Sequence, residues 1–425
     1  MAHLEQALQL RLLAQRLAAS DDACVTPPVL VFGALARLRR ARPRLIASLR
    51  TGFGDQTVKR LQHPKLTLWK TLATPNLVKT NNTKELLFAI QQTVAWRKTK
   101  EAKQQRDKQL AQQPWNHRAR LHEIEQLLQQ LEDRCREQSE TKLFFWHHYD
   151  ALGFLPRSWQ NVLDALQARG WIVVVSSSGL NDASQDQLQQ SGCIISHRDN
   201  VGLCLGAYRD FCCLLNEHQH LRDQIQILVL CNDSTLPIGG HEPFCNEVDK
   251  ISKTLRTDTA RMIGLTDSVQ TIAYHLQTYF LAINSSLLNA KCWPQFWEAL
   301  NPHGDKDDLI QRGEVGLSQW LLKQGISLNA CYSLASLLLS DPGANPELKD
   351  LDLRQPKEVN TTLMCWKALL QAGFPLIKKQ LLLDPPHFLP QPIPMSELSH
   401  HLSETDQSLR DDLEQLLKSR FFEVL

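Results

Sequence analysis

The sequence lacks a run of about 18 or more apolar residues, so it offers no candidate for a bilayer-spanning helix. Its start, "MAHLEQALQLRLLAQRLAAS", lacks the uninterrupted apolar block of a secretory signal, and we expect a helix there instead. The eleven cysteines include no C-x-x-C pair, which disfavours a disulfide framework and a zinc knuckle. G-x-G-x-x-G is also missing, so no dinucleotide fingerprint is predicted. The expected location is therefore the cytoplasm.

Composition and charge set the broad class of the protein. With 43% hydrophobic and 22% charged residues, the 425-residue chain is typical of soluble globular proteins, and its length predicts two or three domains. Residues 1–140 carry 24 Lys and Arg against 13 Asp and Glu, whereas the rest of the chain carries 23 against 32. The basic part suits peripheral contact with anionic lipid on the inner face of a membrane; an ordinary solvated surface is the alternative.

Nucleic-acid binding by residues 1–140 is the weakest of the interpretations of this charge. The basic residues there are not interleaved with aromatic side chains that would stack on bases. No helix-turn-helix or zinc-finger spacing is evident either. We therefore expect no nucleic-acid partner.

Three regions of the chain differ in their sequence patterns. Residues 1–140 are predicted to be helical, and "LHEIEQLLQQLEDRCREQ" resembles one arm of a coiled-coil hairpin. Residues 141–385 alternate short apolar runs with helical patterns, which predicts an α/β domain with a largely parallel sheet. Residues 386–425 begin with a Pro-rich linker and end in an amphipathic helix, and His400 and His401 are interpreted there as surface residues.

Four predicted strands, "KLFFWHH", "WIVVVSS", "CIISH" and "QILVLCN", are each followed by polar residues. Because carboxyl ends of parallel strands meet at one edge of a sheet, and open α/β sheets bind ligands there, these side chains predict a nucleotide-type site. An apolar strand that simply ends in a solvated loop gives the same pattern. The candidate ligand-binding residues are His148, Tyr149, Asp150, Ser176, Asn200, Gly202, Asn232 and Ser234.

Three acidic residues are candidates for chemistry. Asp233 follows a buried strand, where a carboxylate can hold Mn²⁺ or Mg²⁺ together with diphosphate oxygens; an ordinary Asn-Asp turn is the alternative. Glu314 is predicted in the first turn of a helix whose Leu317, Leu321 and Leu322 face inward, where the helix dipole keeps a general base ionised. Stabilisation of that helix start is the alternative role. Asp267 in "GLTDS", just before the next predicted strand, is the third acidic candidate.

"DSVQTIAYHLQTYFLAIN" is predicted to contain one strand with an unusual polar face. With period two, one side carries Leu276, Thr278, Phe280 and Ala282, and the other carries His275, Gln277 and Tyr279. If this second face meets the carboxyl edge of the sheet, it lines a pocket for a sugar or an acceptor.

Eight ordered segments carry a family resemblance between about residues 142 and 385. They include "RDNVGLCLGAYRDF", "CNDSTLPI", "HLQTYFLAIN", "RGEVGLSQWLLKQG" and "FPLIKKQLLLDPP". Together they resemble the rhamnan synthesis protein F family of glycosyltransferase-like proteins. The resemblance implies a GT-A-like, Rossmann-type domain in bacterial surface polysaccharide or lipopolysaccharide synthesis, with a nucleotide sugar such as dTDP-rhamnose as donor.

The resemblance also assigns roles to particular residues. In comparison with inverting glycosyltransferases, Asn200 and Gly202 correspond to the nucleotide-side loop, Asp233 to the last Asp of the D-x-D metal motif, and Glu314 to the acceptor-side base. Two positions depart from the pattern: Cys204 replaces an Asp, and Cys231 replaces the first Asp of D-x-D.

Two functions follow from the resemblance and its departures. The first is inverting transfer of a sugar, rhamnose among the candidates, to a glycan or lipid-linked acceptor. The second, favoured by Cys204 and Cys231, is a non-catalytic subunit of a polysaccharide assembly complex that retains the fold.

Overall fold

The computed structural model describes residues 115–270, 273–339, 359–386, 389, 391–398 and 407–424. Residues 107–420 form one compact unit, and every contact given below lies within it. The helices predicted for residues 1–114, and the membrane contact expected of them, lie outside the described residues and stay predictions, as do the proposed domain limits. Among the described residues, no helix is both long and apolar enough to cross a membrane.

The described chain alternates strands with helices, as the sequence pattern predicts. The strands are β1 Thr141–His148, β2 Trp171–Ser177, β3 Ile194–His197, β4 Ile225–Asn232, β5 Thr235–Pro237, β6 Arg261–Ser268, β7 His275–Leu276, β8 Phe280–Asn284, β9 Ser327–Tyr332 and β10 Leu376–Lys378. The helices up to β6 are α1 Ile124–Arg136, α2 Arg157–Ala168, α3 Asp182–Gln190, α4 Leu203–Glu217, α5 Gln219–Arg222 and α6 Glu242–Leu255. The later helices are α7 Ser285–Leu288, α8 Cys292–Ala299, α9 Lys306–Leu309, α10 Gly316–Lys323, α11 Leu334–Leu339, α12 Thr361–Met364, α13 Trp366–Gln371, α14 Lys379–Leu383, α15 Met395–Leu398 and α16 Gln407–Val424, with a π-helical segment at Ile310–Val315.

Eight strands form one mixed sheet in the order β3-β2-β1-β4-β8-β6-β7, with β9 beside β6. The four predicted strands β1 to β4 are mutually parallel, which confirms the predicted α/β class. The chain runs outward from β1 through β2 to β3 and then returns to place β4 on the other side of β1. This reversal between β1 and β4 is the kind of switch point at which doubly wound sheets bind ligands.

The sheet lies between two layers of helices because alternate strand residues point to opposite faces. Phe144 and Trp146 pack with α2 and α6 on one face, whereas Leu143 and Phe145 pack with α1, α4 and α8 on the other. The helix predicted around residue 130 is α1, and its buried leucines belong to this second layer. Both layers leave the carboxyl ends of the parallel strands at one edge.

The predicted continuous strand over 275–282 is wrong, since the chain makes β7, turns, and resumes as β8. The amide N–H of Gln277 donates to the carbonyl of Thr266 at 3.0 Å, and the Tyr279 carbonyl accepts from the N–H of Asn232 at 3.1 Å. These contacts with two different strands hold the turn. Strict alternation therefore fails, and Thr278 lies with the polar side chains rather than with the apolar ones.

The predicted helix start at Glu314 is also wrong. Glu314 lies inside the π-helical segment, which continues from α9 and leads directly into α10, so it is well past the first turn. Leu317 and Leu321 are buried as predicted, but Leu322 is 41% exposed. The wider π-helical turn, a feature frequent at functional sites, is what positions this carboxylate.

Candidate functional site

Asp233 lies at the switch point of the sheet, directly after β4. Its N–H donates to the His147 carbonyl at 3.1 Å, which ties it to the end of β1. Its Oδ2 accepts from the N–H of Tyr149 at 3.4 Å. The preceding Asn232 accepts from the Ser234 N–H through Oδ1 and donates through Nδ2 to the Tyr208 hydroxyl. The loop 232–234 is therefore fixed between β1 and α4.

Two lysines from a distant part of the chain meet this loop. Strand β10 pairs with β5, with Lys378 opposite Thr235, and so runs alongside the loop. Lys379 Nζ lies 3.0 Å from Asp233 Oδ2, and Lys378 Nζ donates to Ser234 Oγ at 2.9 Å. Burial works to raise the pKa of Asp233, but Lys379 and the nearby histidines outweigh it, so the pKa is lowered. Asp233 is thus an ionised carboxylate with a lysine partner.

Glu314 is held by the turn between β7 and β8. Its Oε2 accepts from the Thr278 N–H at 2.7 Å and from the Thr278 hydroxyl at 2.6 Å. Its Oε1 lies 3.5 Å from Nε2 of the fully buried His275. Burial favours a higher pKa for Glu314, but its contacts with His275 and Thr278 lower it, and Glu314 in turn raises the pKa of His275. The geometry favours an ionised Glu314 at neutral pH.

Lys378 and Cys204 connect these two carboxylates into one site. The Lys378 ammonium lies 4.7 Å from the centre of the Tyr279 ring, in cation–π geometry. Burial raises the pKa of the partly buried Cys204 thiol to about 11; the charges of Glu314 and Asp233 add to this rise, and that of Lys378 opposes it. Cys204 is in the first turn of α4, which follows the loop of Asn200 and Gly202. Lys378 therefore bridges the Asp233 loop and Tyr279, which follows the Thr278 that holds Glu314. Tyr208 of α4 contacts both sides, since its hydroxyl donates to the Thr278 carbonyl and accepts from Asn232.

Several of the predicted ligand-binding residues shape the scaffold of the site. His148 is fully buried; since the Phe154 carbonyl can only accept, His148 Nε2 donates to it and Nδ1 accepts from the Ser177 hydroxyl. Asp150 Oδ1 accepts from the N–H groups of Leu152 and Phe154 and so forms the loop after β1.

The other predicted ligand-binding residues differ in their exposure. Ser176 has no exposed surface and lies beneath the edge, on β2 opposite His147. Asn200 is exposed. Gly202 caps α4 with a φ of 76°, and a Cβ there would lie 2.9 Å from the Pro302 carbonyl oxygen, which accounts for the glycine.

The predicted acceptor pocket is divided between two sets of contacts. His275 reaches Glu314, whereas Gln277 and Tyr279 both bond to the Thr266 hydroxyl at 2.8 Å. Gln277 also donates to Asn360 and Thr362. Tyr279 still contacts the site through Lys378. Gln277 makes its hydrogen bonds to Thr266, Asn360 and Thr362 instead.

The predicted catalytic residue Asp267 has a structural contact in the fold. Asp267, in β6, accepts from the N–H of Leu334 at 2.6 Å, at the first residue of α11. Burial raises the pKa of this carboxyl group. Its charge reaches His275, but its hydrogen bonds go to Leu334 of α11 and to the Tyr274 side chain rather than to Glu314 or Asp233.

The side chains at Asp233 do not fit a divalent cation well. They supply a single carboxylate, already paired with Lys379, whereas Mg²⁺ and Mn²⁺ sites use several oxygen ligands. The neighbouring Cys231 is fully buried, which raises its thiol pKa well above the usual value. Within the described ranges, no group of three or more His, Cys, Asp or Glu side chains is arranged to hold a metal ion.

Sequence reasoning missed the roles of Lys378 and Lys379. They are the only charged residues in the apolar stretch "FPLIKKQLLL", and a charged pair inside such a stretch is the signal that was available. A cavity of about 530 Å³ lies elsewhere, between α2 and α16, and none of Asp233, Glu314, Lys378 and Lys379 lines it. The candidate site is therefore identified by the charged groups at the sheet edge and not by the size of a cavity.

The partly buried ammonium of Lys378 is expected to destabilise the fold at neutral pH. Burial lowers the Lys378 pKa to about 8, so the unfolded chain binds more protons between pH 8 and the ordinary lysine pKa, and stability rises as the pH increases through that window. The cost is up to about 3 kcal/mol at pH 7, and the contacts with Ser234 and Tyr279 offset about 2 kcal/mol of it. Lys378→Met should therefore raise the free energy of unfolding by about 1 kcal/mol at pH 7, measured by urea denaturation, and by less at pH 10.

The control for this prediction is Lys367→Met. Lys367 also lies over an aromatic ring, that of Trp366, but its side chain is 51% exposed. The free energy of unfolding of that variant should stay within about 0.5 kcal/mol of the parent. A Lys378→Met protein that is less stable than the parent at pH 7 would show that the ammonium stabilises the fold.

Comparison with known proteins supports the family resemblance. Residues 172–381, just under half of the chain, match the family described as rhamnan synthesis protein F, within the range predicted from the sequence. A virulence protein, VirA, from Vibrio anguillarum is 25% identical over 235 residues, which are 52% of this chain and 71% of that protein. An uncharacterized protein, y4gN, from Sinorhizobium fredii is 24% identical over 177 residues, 41% of this chain and 45% of its own length. The family match includes Asp233, Glu314, Lys378 and Lys379.

Proposed function

We propose, from the match of residues 172–381 to the rhamnan synthesis protein F family, that the protein transfers a sugar from a nucleotide-sugar donor during bacterial surface polysaccharide synthesis. Rhamnose, carried as dTDP-rhamnose or a similar donor, is the first candidate, and a glycan or lipid-linked acceptor completes the reaction. The family is one of rhamnan polysaccharide synthesis; the transfer activity, donor and acceptor are the proposal.

One observation carries the proposal: Lys378 joins the loop after β4 to the Glu314 side of the site. Its ammonium donates to Ser234, lies over the Tyr279 ring, and is close enough to Glu314 for the carboxylate to raise its pKa against the effect of burial. A cation between a switch-point loop and an ionised carboxylate is what a reaction with an anionic leaving group and a hydroxyl nucleophile requires.

The proposed reaction is a single displacement with inversion. The acceptor hydroxyl oxygen attacks the anomeric carbon, its proton passes to Glu314, and the bond from that carbon to the diphosphate oxygen breaks. Glu314 Oε1 is the oxygen to receive the proton, because Oε2 already accepts two hydrogen bonds from Thr278. The ionised state that His275 and Thr278 favour leaves Glu314 ready to accept it.

A second candidate function is a non-catalytic subunit of a polysaccharide assembly complex. The specific observations in its favour are the full engagement of Glu314 Oε2 by Thr278 and of Asp233 Oδ2 by Lys379. Cys204 and Cys231 stand where the family pattern implied by the sequence has acidic residues. In such a subunit these contacts would stabilise the fold and bind no donor.

Donor binding separates the two functions. We expect the full-length protein to bind at least one of dTDP-rhamnose, UDP-glucose and GDP-mannose with a Kd between about 1 µM and 1 mM, the usual range for enzyme substrates. Isothermal titration calorimetry with and without Mg²⁺ measures it. Slow release of nucleoside diphosphate from the bound donor would support transfer. Binding of none of the three donors in either condition would favour the non-catalytic subunit.

A further inference from the structure

We propose that Lys378 and Lys379 bind the diphosphate of a nucleoside diphosphate directly and take the place that a divalent cation was expected to occupy at Asp233. The inference rests on the proposed function, because it concerns how the nucleotide part of the donor is bound. It adds a binding site that consists of two ammonium groups and the start of a helix.

The two lysines are placed by β-sheet pairing rather than by a loose loop. Strand β10 pairs with β5 over three residues, and the N–H of Lys379 donates to the Ser234 carbonyl at 3.0 Å. Both ammonium groups therefore lie beside residues 233–234, at the carboxyl end of β4. This is where the phosphates of a ligand at the switch point would lie.

Among the described residues, Lys378 has no carboxylate within ion-pair distance, although Glu314 lies close enough for its charge to act on the ammonium. The contacts of Lys378 are the Ser234 hydroxyl and the face of Tyr279, and both are neutral. Buried or partly buried lysines usually have an acidic partner, because an unpaired ammonium is costly to remove from water. An anionic ligand would supply the missing charge.

Lys379 is paired, but its partner can be exchanged. The side chains of Lys379 and Asp233 keep 15% and 16% of their surface exposed, so a phosphate oxygen can approach the ammonium from solvent. Asp233 then competes with a phosphate for the same group. This competition predicts an effect of Asp233 opposite to that of a metal ligand.

The start of α4 adds a third source of positive potential. This 15-residue helix begins after Gly202, which has no side chain with which to cap it. Its first turn contains Cys204, on which the charges of Lys378 and Asp233 both act. The N–H groups and the dipole of a helix start favour a phosphate. The helix and the two lysines therefore converge on the same anion.

The first experiment is calorimetric titration of the full-length protein with dTDP, UDP and GDP in EDTA. We expect at least one of them to bind without metal. Asp233→Asn should tighten that binding by about three- to tenfold, because the competing carboxylate is removed while the shape is kept. If Asp233 were instead the ligand of an essential metal, no binding would be seen in EDTA, and Asp233→Asn would weaken the binding measured with Mg²⁺.

The second experiment removes the ammonium groups. Lys378→Met should weaken metal-free nucleotide binding by at least about tenfold. The double change Lys379→Met with Asp233→Asn removes both members of the ion pair, leaves no unpaired charge, and should also weaken it. Lys250→Met is the matched control, since Lys250 is an exposed, ion-paired lysine on α6. Thermal unfolding of each variant checks that it is folded.

The outcomes separate this inference from the proposed function. Nucleotide binding that requires Mg²⁺ would overturn the lysine site and leave a metal-dependent transferase standing. Metal-free binding that is unchanged in Lys378→Met and in the double variant would also overturn the lysine site, but it would leave the proposed transfer activity untouched. Absence of binding with and without Mg²⁺ would overturn both. Metal-free binding that is tightened by Asp233→Asn and weakened by the two lysine variants would support both.

Discussion

Glu314→Gln is expected to lower the turnover of the donor by about two to four orders of magnitude, the usual contribution of a general base. Glutamine keeps the shape of the side chain, and its carbonyl oxygen can still accept both hydrogen bonds from Thr278. It cannot take a proton from an acceptor hydroxyl at neutral pH. Nucleotide binding should therefore be retained while transfer is lost, so the change falls on kcat rather than on the Kd of the nucleotide.

The measurement is the rate of nucleoside diphosphate release from the donor that binds, in the presence of acceptor glycan. Glu298→Gln is the matched control, because Glu298 is an exposed carboxylate on α8. A second readout is the pKa of His275 by NMR titration, which should fall in Glu314→Gln because the neighbouring carboxylate no longer raises it. A folded Glu314→Gln protein with full turnover would remove the base assignment.

Arg198→Met is expected to lower the free energy of unfolding by about 3–5 kcal/mol, the usual effect of removing one member of a buried ion pair. Arg198 Nη2 lies 3.0 Å from Asp210 Oδ2, and both side chains are fully buried. The same nitrogen donates to the Val201 carbonyl at 2.7 Å, so the arginine also holds the loop between β3 and α4. Its loss leaves Asp210 with the Trp115 indole N–H as its remaining partner.

The control is Arg136→Met, the same substitution at an arginine that is 63% exposed and paired with Glu132 and Asp133. It should change the free energy of unfolding by less than about 1 kcal/mol, since exposed ion pairs contribute little. Adding Asp210→Leu to Arg198→Met should recover much of the lost stability, because the unpaired buried carboxylate is then removed. Equal effects of the two arginine variants in urea denaturation would contradict the argument.

The parts of the fold that could be predicted are those in which local pattern and tertiary packing agree. Strands β1 to β4 are short β-branched or aromatic runs between helical patterns, and the buried parallel sheet gives that pattern its physical reason. The polar residues after these strands were predicted at one edge because parallel strands share a direction. That rule alone predicts the position of Asp233 at this edge, and the structure places Asp233 at the switch point between β1 and β4.

The parts that could not be predicted depend on contacts between distant segments. Nothing local separates an uninterrupted strand at 275–282 from two strands with a turn, because the turn is fixed by Thr266, Asn232 and Glu314. The π-helical geometry at Glu314 is likewise invisible in a pattern of period 3.6. The roles of Lys378 and Lys379 are equally invisible locally, because their partners Ser234 and Asp233 lie 144 and 146 positions earlier in the chain.

The pairing of β10 with β5 has a consequence for how the protein acquires its activity. Contacts that join residues so far apart form slowly, since a long loop must close before they give any stabilisation. A chain in which the eight-stranded sheet has formed but β10 has not docked would present Asp233 without its ammonium partner and would repel phosphates. The ability to bind an anion at this edge would then appear only when β10 has docked, at the end of folding.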